Sequence, residues 1–287
     1  MNPAIIEQRQ SVTQQEYDAI RQFLEDSCGI VLGENKHYLV NSRLSRVVKE
    51  QGFSSLGELV SVLGSSRHRA VQVSVIDAMT TNETSWFRDN HPFESLREII
   101  LPDLSARVGQ GAAIWSAACS SGQEPYSISM VIQEYLRGRP NTLPGIRIVA
   151  TDISPSMLAD ASEGLFEESA LSRGLSDEFK RRYFDQHDGY SKVKPVIRER
   201  ITFKEVNLLK SFASLGRFDC IFCRNVLIYF STDNKKDIIN RLADALKPEG
   251  YLYLGGTESI ASFTDRFETL RYRGGMVYKL KPESVGS

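Results

Sequence analysis

The stretch from Ile114 to Ile128 constrains the fold of this chain more than any other part of the sequence. It reads IWSAACSSGQEPYSI: a short apolar run, then a turn of small residues, then a helix that we expect to begin at about Pro125. A second apolar run, Ile146 to Ala150, leads to Asp152, thirty residues beyond Gly122. This order is typical of a nucleotide site in a doubly wound α/β fold. Small residues let the ligand approach the backbone, and the acid accepts hydrogen bonds from ribose hydroxyls.

The chemistry of the turn favours one kind of ligand. The turn lacks the G-x-G-x-x-G pattern that holds a dinucleotide pyrophosphate, so a dinucleotide is disfavoured. Glu124, close to the start of the helix, would repel a phosphate but suit a cation. S-adenosylmethionine (AdoMet) carries a sulfonium, has no phosphate and needs its ribose held. The turn alone leaves an ordinary strand–helix connection without a cofactor equally open, and Asp152 at the strand end favours the cofactor.

The composition narrows the class of protein. A chain of 287 residues with 41% hydrophobic residues can form one large domain or two modest ones. A net charge of −1 gives no overall field for nucleic acid, and four cysteines do not suggest a disulfide framework at this length. The sequence contains neither a membrane-length apolar window nor an N-terminal apolar signal core. We therefore expect a cytoplasmic protein that binds no nucleic acid and does not insert into the membrane. The sequence leaves the oligomeric state open, and a monomer is the default expectation.

The hydrophobic periodicity predicts two parts joined by a linker. Residues 1–80 are predicted as a small all-helical domain, in which Thr13 and Glu16 form a capping box. Residues 81–113 form the linker, and residues 114–287 alternate strands and helices, which indicates a mostly parallel sheet with a C-terminal antiparallel hairpin. Residues 179–206 are predicted as a small inserted antiparallel β-subdomain, with a long connection as the equal alternative.

The segment Phe218–Phe230 reads FDCIFCRNVLIYF and is predicted as a buried strand with polar residues at its end. Arg224 and Asn225 follow the strand, where ligands bind in open α/β sheets, and Tyr229 comes one turn later. The Cys220-x-x-Cys223 pair lies inside the strand, so two buried thiols are favoured over a redox site. The four histidines have no ligand spacing, so no metal is predicted.

Two further segments carry candidate functional side chains. In the linker, Trp86 and Phe87 are expected to pack between the domains, whereas Arg88 is suited to pairing with a carboxylate. The second predicted helix carries a stripe of basic residues. Such a stripe is either an ordinary solvated surface or a docking face for an acidic partner helix, and the sequence leaves both open. Its members are Arg43, Arg46 and Lys49.

These motifs together resemble the CheR family of chemotaxis receptor glutamate methyltransferases over nearly the whole chain. The matching segments are TTNETSWFRD, WSAACSSGQEPYSI, ATDIS, NLL at Asn207–Leu209, FCRNVLIYF and LKPEGYLYLGGTES. The resemblance implies a class I AdoMet-dependent methyltransferase fold whose product is S-adenosylhomocysteine. The resemblance implies that nine residues contact the cofactor: Asn82, Thr84, Arg88, Glu124, Asp152, Asn207, Leu208, Arg224 and Asn225. Gly122, in the turn after the first strand, is a further predicted cofactor contact.

The resemblance also implies a reaction and a partner. Arg88 and Tyr229 are the positions nearest the reacting methyl, and the helical domain with its basic stripe would dock a receptor's cytoplasmic helical bundle, recruiting the protein to membrane-bound receptor arrays. A glutamate substrate is already ionised at neutral pH, because its reference pKa is about 4.3, so no strong general base is required. Catalysis is then expected to come mainly from alignment in a dry site.

One departure from the family pattern and two rival functions stand beside this interpretation. Some family members grip a receptor tail peptide with the inserted hairpin, but FDQHDGYSKVKPVIRER looks short and contains only Gly189. We therefore expect no dependence on a tethering peptide. A nucleic-acid methyltransferase would usually place Asp/Asn-Pro-Pro-aromatic where Arg224-Asn225-Val226 stands. A docking module that binds AdoMet without turnover is the second rival.

Overall fold

The computed structural model describes residues 12–107, 111–139 and 141–282, and the chain divides into two compact units, Met1–Thr81 and Asn82–Ser287. The outermost residues of the predicted ranges, 1–11 and 283–287, lie outside the described residues. None of the described helices is both long enough and apolar enough to span a bilayer.

The first unit is helical. Its helices are α1 (Gln14–Cys28), α2 (His37–Glu50), α3 (Leu56–Val62) and α4 (Arg69–Met79), with a 3-10 turn at Ser66–His68. The predicted capping box of Thr13 and Glu16 starts α1, and Gly29 ends it at φ 76°, the left-handed region that glycine tolerates. Each helix buries one apolar face, including Ile20, Leu44 and Val75.

The second unit alternates strands and helices. Its strands are β1 (Ala113–Ala117), β2 (Arg147–Asp152), β3 (Leu165–Phe166), β4 (Phe184–His187), β5 (Tyr190–Val193), β6 (Ile201–Glu205), β7 (Phe218–Cys223), β8 (Leu246–Tyr253), β9 (Phe267–Tyr272) and β10 (Gly275–Leu280). Its helices are α5 (His91–Ser95), α6 (Leu101–Arg107), α7 (Gln123–Leu136), α8 (Pro155–Glu163), α9 (Glu168–Leu171), α10 (Asp177–Tyr183), α11 (Pro195–Arg198) and α12 (Thr232–Ala245). A π-helical turn at Leu96–Ile100 and 3-10 turns at Ala213–Leu215 and Leu227–Tyr229 complete the unit.

A seven-stranded sheet forms the centre of this unit, in the order β6-β2-β1-β7-β8-β10-β9. The first five strands are parallel, and β10 and β9 run antiparallel at the end. The predicted doubly wound sheet with a C-terminal hairpin is confirmed. The strand order reverses between β1 and β7, and the carboxyl ends of β2, β1 and β7 meet at that edge. Ligands bind at such a reversal point in open α/β sheets.

Two hydrophobic clusters cover the two faces of the sheet. One contains Trp115 and Cys223 with residues of α12, and the other contains Ile114 and Cys220 with residues of α7. The two thiols of the C-x-x-C pair therefore lie on opposite faces, and burial raises the pKa of each well above its ordinary value. This arrangement agrees with two structural cysteines rather than a redox pair.

The inserted sheet differs in its bounds from the prediction. It contains three short antiparallel strands in the order β3-β5-β4, so it begins at Leu165, upstream of the predicted range. Ile201 and Phe203, predicted to lie in the insertion, instead belong to β6, which pairs in parallel with β2 at the edge of the main sheet. The alternating pattern of β6 identifies a strand but not its partner, so the sequence could not separate these two possibilities.

Candidate active site

The turn after β1 has an unusual backbone that a carboxylate holds in place. Ala118 and Ser120 adopt φ values of 60° and 49°, a left-handed conformation that costs a side-chain-bearing residue about 1–2 kcal/mol. Gly122 lies at φ 96°, and a Cβ there would stand 3.0 Å from the Ala161 Cβ. The Ser120 N–H donates to Asp152 Oδ2 at 2.7 Å. The small residues of the turn are therefore required by its geometry.

Asp152 lies at the end of β2, buried beneath the turn. Its Oδ1 accepts the Ser154 N–H at 2.9 Å, and its carbonyl accepts the Val206 N–H at 2.9 Å. The second contact places Asn207 and Leu208 beside it at the same sheet edge, where Asn207 Oδ1 accepts the Leu209 N–H. Each carboxylate oxygen has two lone pairs, so Asp152 retains the capacity to accept ribose hydroxyls.

Glu124 and Arg224 form a buried ion pair between α7 and the end of β7. Arg224 Nη1 donates to Glu124 Oε2 at 2.9 Å, and Ser116 Oγ donates to Glu124 Oε1 at 2.8 Å. The side chains of Arg224 and Glu124 are 2% and 13% exposed. Arg224 therefore compensates the charge of Glu124, a partner that the sequence analysis did not identify. The remaining lone pairs of Glu124 still suit a hydrogen-bond donor such as an ammonium group.

Arg224 also holds the segment that carries Arg88. Its Nη2 donates to the Arg88 carbonyl at 2.9 Å and to Asp89 Oδ2 at 2.7 Å. Phe87, Asp89 and Asn90 all have positive φ, between 49° and 68°. Three left-handed residues in four positions persist only where surrounding contacts fix them. Arg224 supplies such contacts, and its burial makes them strong.

Trp86 anchors the same segment from the other side. Its backbone N–H donates to the Arg173 carbonyl at 3.1 Å, and its ring packs edge-on against Phe166 and Phe184 of the inserted sheet. Gly174 lies so close that an added Cβ would stand 2.1 Å from the Trp86 carbonyl oxygen. The expected packing of Trp86 and Phe87 between domains is wrong: both rings pack inside the second unit.

A cavity of about 540 Å³ lies along this segment. Thr84, Arg88 and Arg173 line it together with two acidic residues, Glu83 and Asp89. Arg88 Nη1 donates to the Glu83 carbonyl at 3.1 Å, and among the described residues no carboxylate forms an ion pair with Arg88 or Arg173, whereas Asp89 pairs with Arg224. The guanidinium groups of Arg88 and Arg173 are therefore available to pair with an anionic group.

Tyr229 lies on the 3-10 turn that follows β7 and Asn225. Asn225 adopts φ 57°, a conformation that asparagine tolerates better than most residues. Within the part of the chain that the structure describes, no group hydrogen-bonds the Tyr229 hydroxyl, so it can bind a ligand. Glu258, which the sequence analysis missed, accepts the N–H groups of Asn225 and Ile228.

Most of the predicted cofactor residues share one sheet edge, and hydrogen bonds link several of them. Ser120 Oγ donates to the Asn82 carbonyl at 2.9 Å, so the linker, the β1 turn and Asp152 form one connected set. The residues that sequence reasoning missed are Asp89, Ser116, Ser120, Arg173 and Glu258, together with Ser127, whose hydroxyl oxygen accepts the Phe87 N–H at 3.1 Å. Of these, Glu258 carried a usable signal, because it follows the end of a predicted strand as Asp152 and Asn225 do.

The basic residues of α2 lie in the first unit, where one of them differs from the prediction. The Arg43 guanidinium is half-buried and donates to the carbonyls of Met79 and Thr80 at 2.8 and 2.7 Å. It therefore caps the C-terminal end of α4 rather than projecting as a free docking charge. Arg46 is exposed and pairs with Glu50 at 2.6 Å, and Lys49 is exposed.

Comparison with known proteins identifies both units. Residues 15–80 match the CheR methyltransferase all-alpha domain, and residues 82–276 match the CheR methyltransferase SAM binding domain. Chemotaxis protein methyltransferase 1 of Pseudomonas aeruginosa is 50% identical over 94% of this chain and 100% of its own length. Chemotaxis protein methyltransferase 1 of Vibrio cholerae is 49% identical over 94% of this chain and 98% of its own length. This chain therefore belongs to the CheR methyltransferase family and is an AdoMet-dependent methyltransferase.

Proposed function

We propose that this enzyme transfers the methyl group of AdoMet to glutamate side chains of bacterial chemoreceptors, forming the methyl esters used in chemotactic adaptation. The observation that carries the proposal is the cavity lined by Arg88 and Arg173, whose guanidinium groups form no ion pair with a carboxylate among the described residues, although Glu83 and Asp89 also line it. Two guanidinium groups without a carboxylate partner, beside a predicted cofactor turn, fit an acceptor that is itself a carboxylate.

The residues of the strand edge fit the cofactor. Asp152 would accept the ribose hydroxyls, and Glu124 would accept the ammonium of the methionine part of AdoMet. Asn82, Thr84, Gly122, Asn207, Leu208 and Asn225 would line the rest of the cofactor site. Arg224 has a different role, because its Nη donors are directed to Glu124, Arg88 and Asp89 within the chain. We propose that it supports the cofactor site rather than contacting the cofactor.

The reaction requires no general base from the protein. Bound AdoMet supplies a methyl group on a positively charged sulfur. The acceptor carboxylate is ionised at neutral pH, so the residues of this chain need to orient it and exclude water rather than remove a proton. Arg88 and Tyr229 would do this, Arg88 by its charge and Tyr229 by its hydroxyl. A tight bidentate Arg88 pair would reduce the nucleophilicity of the carboxylate, so we expect Arg88 mainly to position it.

The helical unit would bring the substrate to the enzyme. We propose that residues 1–80 form the docking domain for the receptor's cytoplasmic helical bundle, with Arg46 and Lys49 as the charges that face it. Residues 81–113 would contribute to the cofactor site, and residues 114–287 would form the methyltransferase domain. The enzyme would act as a cytoplasmic monomer that docking recruits to membrane-bound receptor arrays.

We also propose that this enzyme does not depend on a peptide at the receptor's C-terminus. The β4–β5 hairpin turns through Asp188 and Gly189 alone, at φ 47° and 84°, as in a tight two-residue turn. Such a hairpin offers no long loop to enclose a peptide. Receptor fragments with and without their last residues should therefore be methylated with equal kcat/KM, and a large loss on truncation would contradict this part of the proposal.

Mapping of the modified side chains tests the function itself. A purified receptor cytoplasmic fragment is incubated with the enzyme and AdoMet, and its peptides are analysed by mass spectrometry. We expect methyl esters on particular glutamates, absent when AdoMet is omitted. Methylation of lysine, arginine or nucleic acid would point to another substrate class. AdoMet binding without any methylated receptor would favour a docking module.

A further inference from the structure

A buried carboxylate connects the ends of two neighbouring strands beside the active site. Glu258 lies in the loop after β8 and is 7% exposed. Its Oε2 accepts the Gly255 N–H at 2.7 Å and the Asn225 N–H at 2.8 Å, and its Oε1 accepts the Ile228 N–H at 3.2 Å. No described cation forms an ion pair with Glu258, so these three backbone donors compensate its burial.

The geometry leaves little freedom around this carboxylate. A Cβ added at Gly255 would stand 2.8 Å from Glu258 Oε2 and 2.6 Å from Asn225 Nδ2, so the two loops are in close contact. Asn225 is held at φ 57°, a conformation that needs support from its surroundings. Glu258 therefore fixes the backbone on both sides of Val226, at Asn225 and at Ile228.

The backbone that Glu258 fixes, at Asn225 and Ile228, supports Tyr229. The 3-10 turn Leu227–Tyr229 is one turn long, and the Tyr229 N–H donates to the Val226 carbonyl at 3.2 Å. So short a turn has little stability of its own, because it contains few internal hydrogen bonds. Leu227 and Phe230 anchor the two ends of this segment in the core, but the Ile228 side chain between them is exposed, and the Ile228 N–H is bonded to Glu258. Glu258 is therefore the polar support of the stretch that presents the Tyr229 hydroxyl.

We infer that Glu258 is a positioning residue for the reaction: it holds the Asn225–Tyr229 loop so that Tyr229 meets the acceptor carboxylate. The inference rests on the proposed function, in which Tyr229 orients that carboxylate. Glu258 itself contacts neither the substrate nor the reacting atoms. Its effect on methyl transfer is therefore expected to act through Tyr229.

The substitution Glu258→Gln tests this inference. Glutamine keeps the size of the side chain, but its amide nitrogen donates and cannot accept, so at least one of the three N–H groups loses its partner. We expect kcat to fall roughly 10- to 100-fold, as misplacement of a catalytic group does. We expect the AdoMet Kd to rise by a smaller factor than kcat falls, because Asn225 is one of several residues proposed to line the cofactor site. Glu268→Gln, at an exposed position of β9, serves as the matched control and should retain wild-type kcat.

A double-mutant cycle separates positioning from general destabilisation. In a Tyr229→Phe background, Glu258→Gln should lower kcat by less than about threefold, because the hydroxyl that it positions is already absent. Full additivity of the two effects would overturn the inference, because a merely structural role would lower activity equally in both backgrounds.

Amide hydrogen exchange measures how firmly Glu258 holds the Asn225–Tyr229 loop, and it does not require turnover. In Glu258→Gln, exchange at Asn225 or Ile228 should be faster than in the wild-type enzyme, while the Glu268→Gln control is unchanged. Unchanged exchange at both amides would contradict the role of Glu258 whatever the activity. If the wild-type enzyme methylates no receptor, the proposed function fails, and the exchange experiment still decides whether Glu258 fixes the loop.

Discussion

At the scale of single residues, the site combines backbone strain with buried charges that compensate it. Ala118, Ser120 and Phe87 adopt left-handed conformations that are unfavourable for them. Ser120 is held by Asp152, and the segment that contains Phe87 is held by Arg224. Residues with strained backbones cluster at functional sites in proteins generally. The charged residues at this sheet edge therefore fix the backbone that shapes the site.

The hydroxyl of Tyr229 provides a prediction at this scale. Tyr229→Phe removes one hydrogen-bonding group and preserves the ring. We expect kcat to fall about 10- to 100-fold while AdoMet affinity, measured by calorimetry, stays close to that of the wild-type enzyme. A large loss of AdoMet binding would mean that Tyr229 belongs to the cofactor site instead. Tyr190→Phe is the matched control, because it removes the same hydroxyl at an exposed position. Phe230→Leu is unsuitable as a control, because Phe230 is buried in the core.

At the scale of elements, a polar contact fastens the insertion to the main sheet. Glu134 on α7 accepts hydrogen bonds from Tyr183 and from Arg182, which lie on α10. Burial alone would raise the pKa of Glu134, but the hydrogen bonds from Tyr183 and Arg182 outweigh it, and the pKa is lowered. Burial and the bond to Glu134 together raise the pKa of Tyr183.

The lowered pKa of Glu134 predicts a pH-dependent stability. A carboxyl whose pKa is lower in the folded state stabilises the fold above its unfolded pKa, about 4.3, and loses that contribution as pH falls through its folded value. Glu134→Gln should therefore lower the free energy of unfolding by roughly 1–2 kcal/mol at pH 7. The difference from the wild-type enzyme should shrink below about pH 4. Urea unfolding of both proteins across this range measures it, and a constant difference would contradict the assignment.

The sequence predicts local parts of this site well and long-range parts poorly. Gly122 and Asp152 follow their strands directly, so periodicity and strand order place them at one edge. The Glu124–Arg224 pair joins residues 100 positions apart, and the Glu258–Asn225 bond joins residues 33 apart. No local pattern encodes such partners. For the same reason Arg43 resembled a free surface charge, although its acceptors lie on a different helix.

At the scale of the whole molecule, the proposed function assigns receptor docking and methyl transfer to different units of the chain. The helical unit carries Arg46 and Lys49 on an exposed face, and the sheet unit carries the methyltransferase site. A change in the docking charges should therefore alter how the receptor is captured without altering how AdoMet is bound.

Charge reversal on α2 tests this division. Arg46→Glu combined with Lys49→Glu should raise the KM for a receptor fragment several-fold at low salt, and the difference should diminish as salt screens the charges. AdoMet affinity should stay unchanged. Exposed Arg67→Glu, in the same unit but outside α2, is the matched control. An unaltered KM at low salt would show that the receptor docks elsewhere.

The most direct test of the central claim is methyl transfer scored as methanol. Labelled AdoMet is incubated with the enzyme and a purified receptor cytoplasmic fragment, and base treatment then releases methanol from any carboxyl methyl ester. We expect labelled methanol from the wild-type receptor and none when its methylated glutamates are replaced by alanine. Absence of labelled methanol across a panel of receptors, from an enzyme that binds AdoMet, would contradict glutamate methylation as the function of this chain.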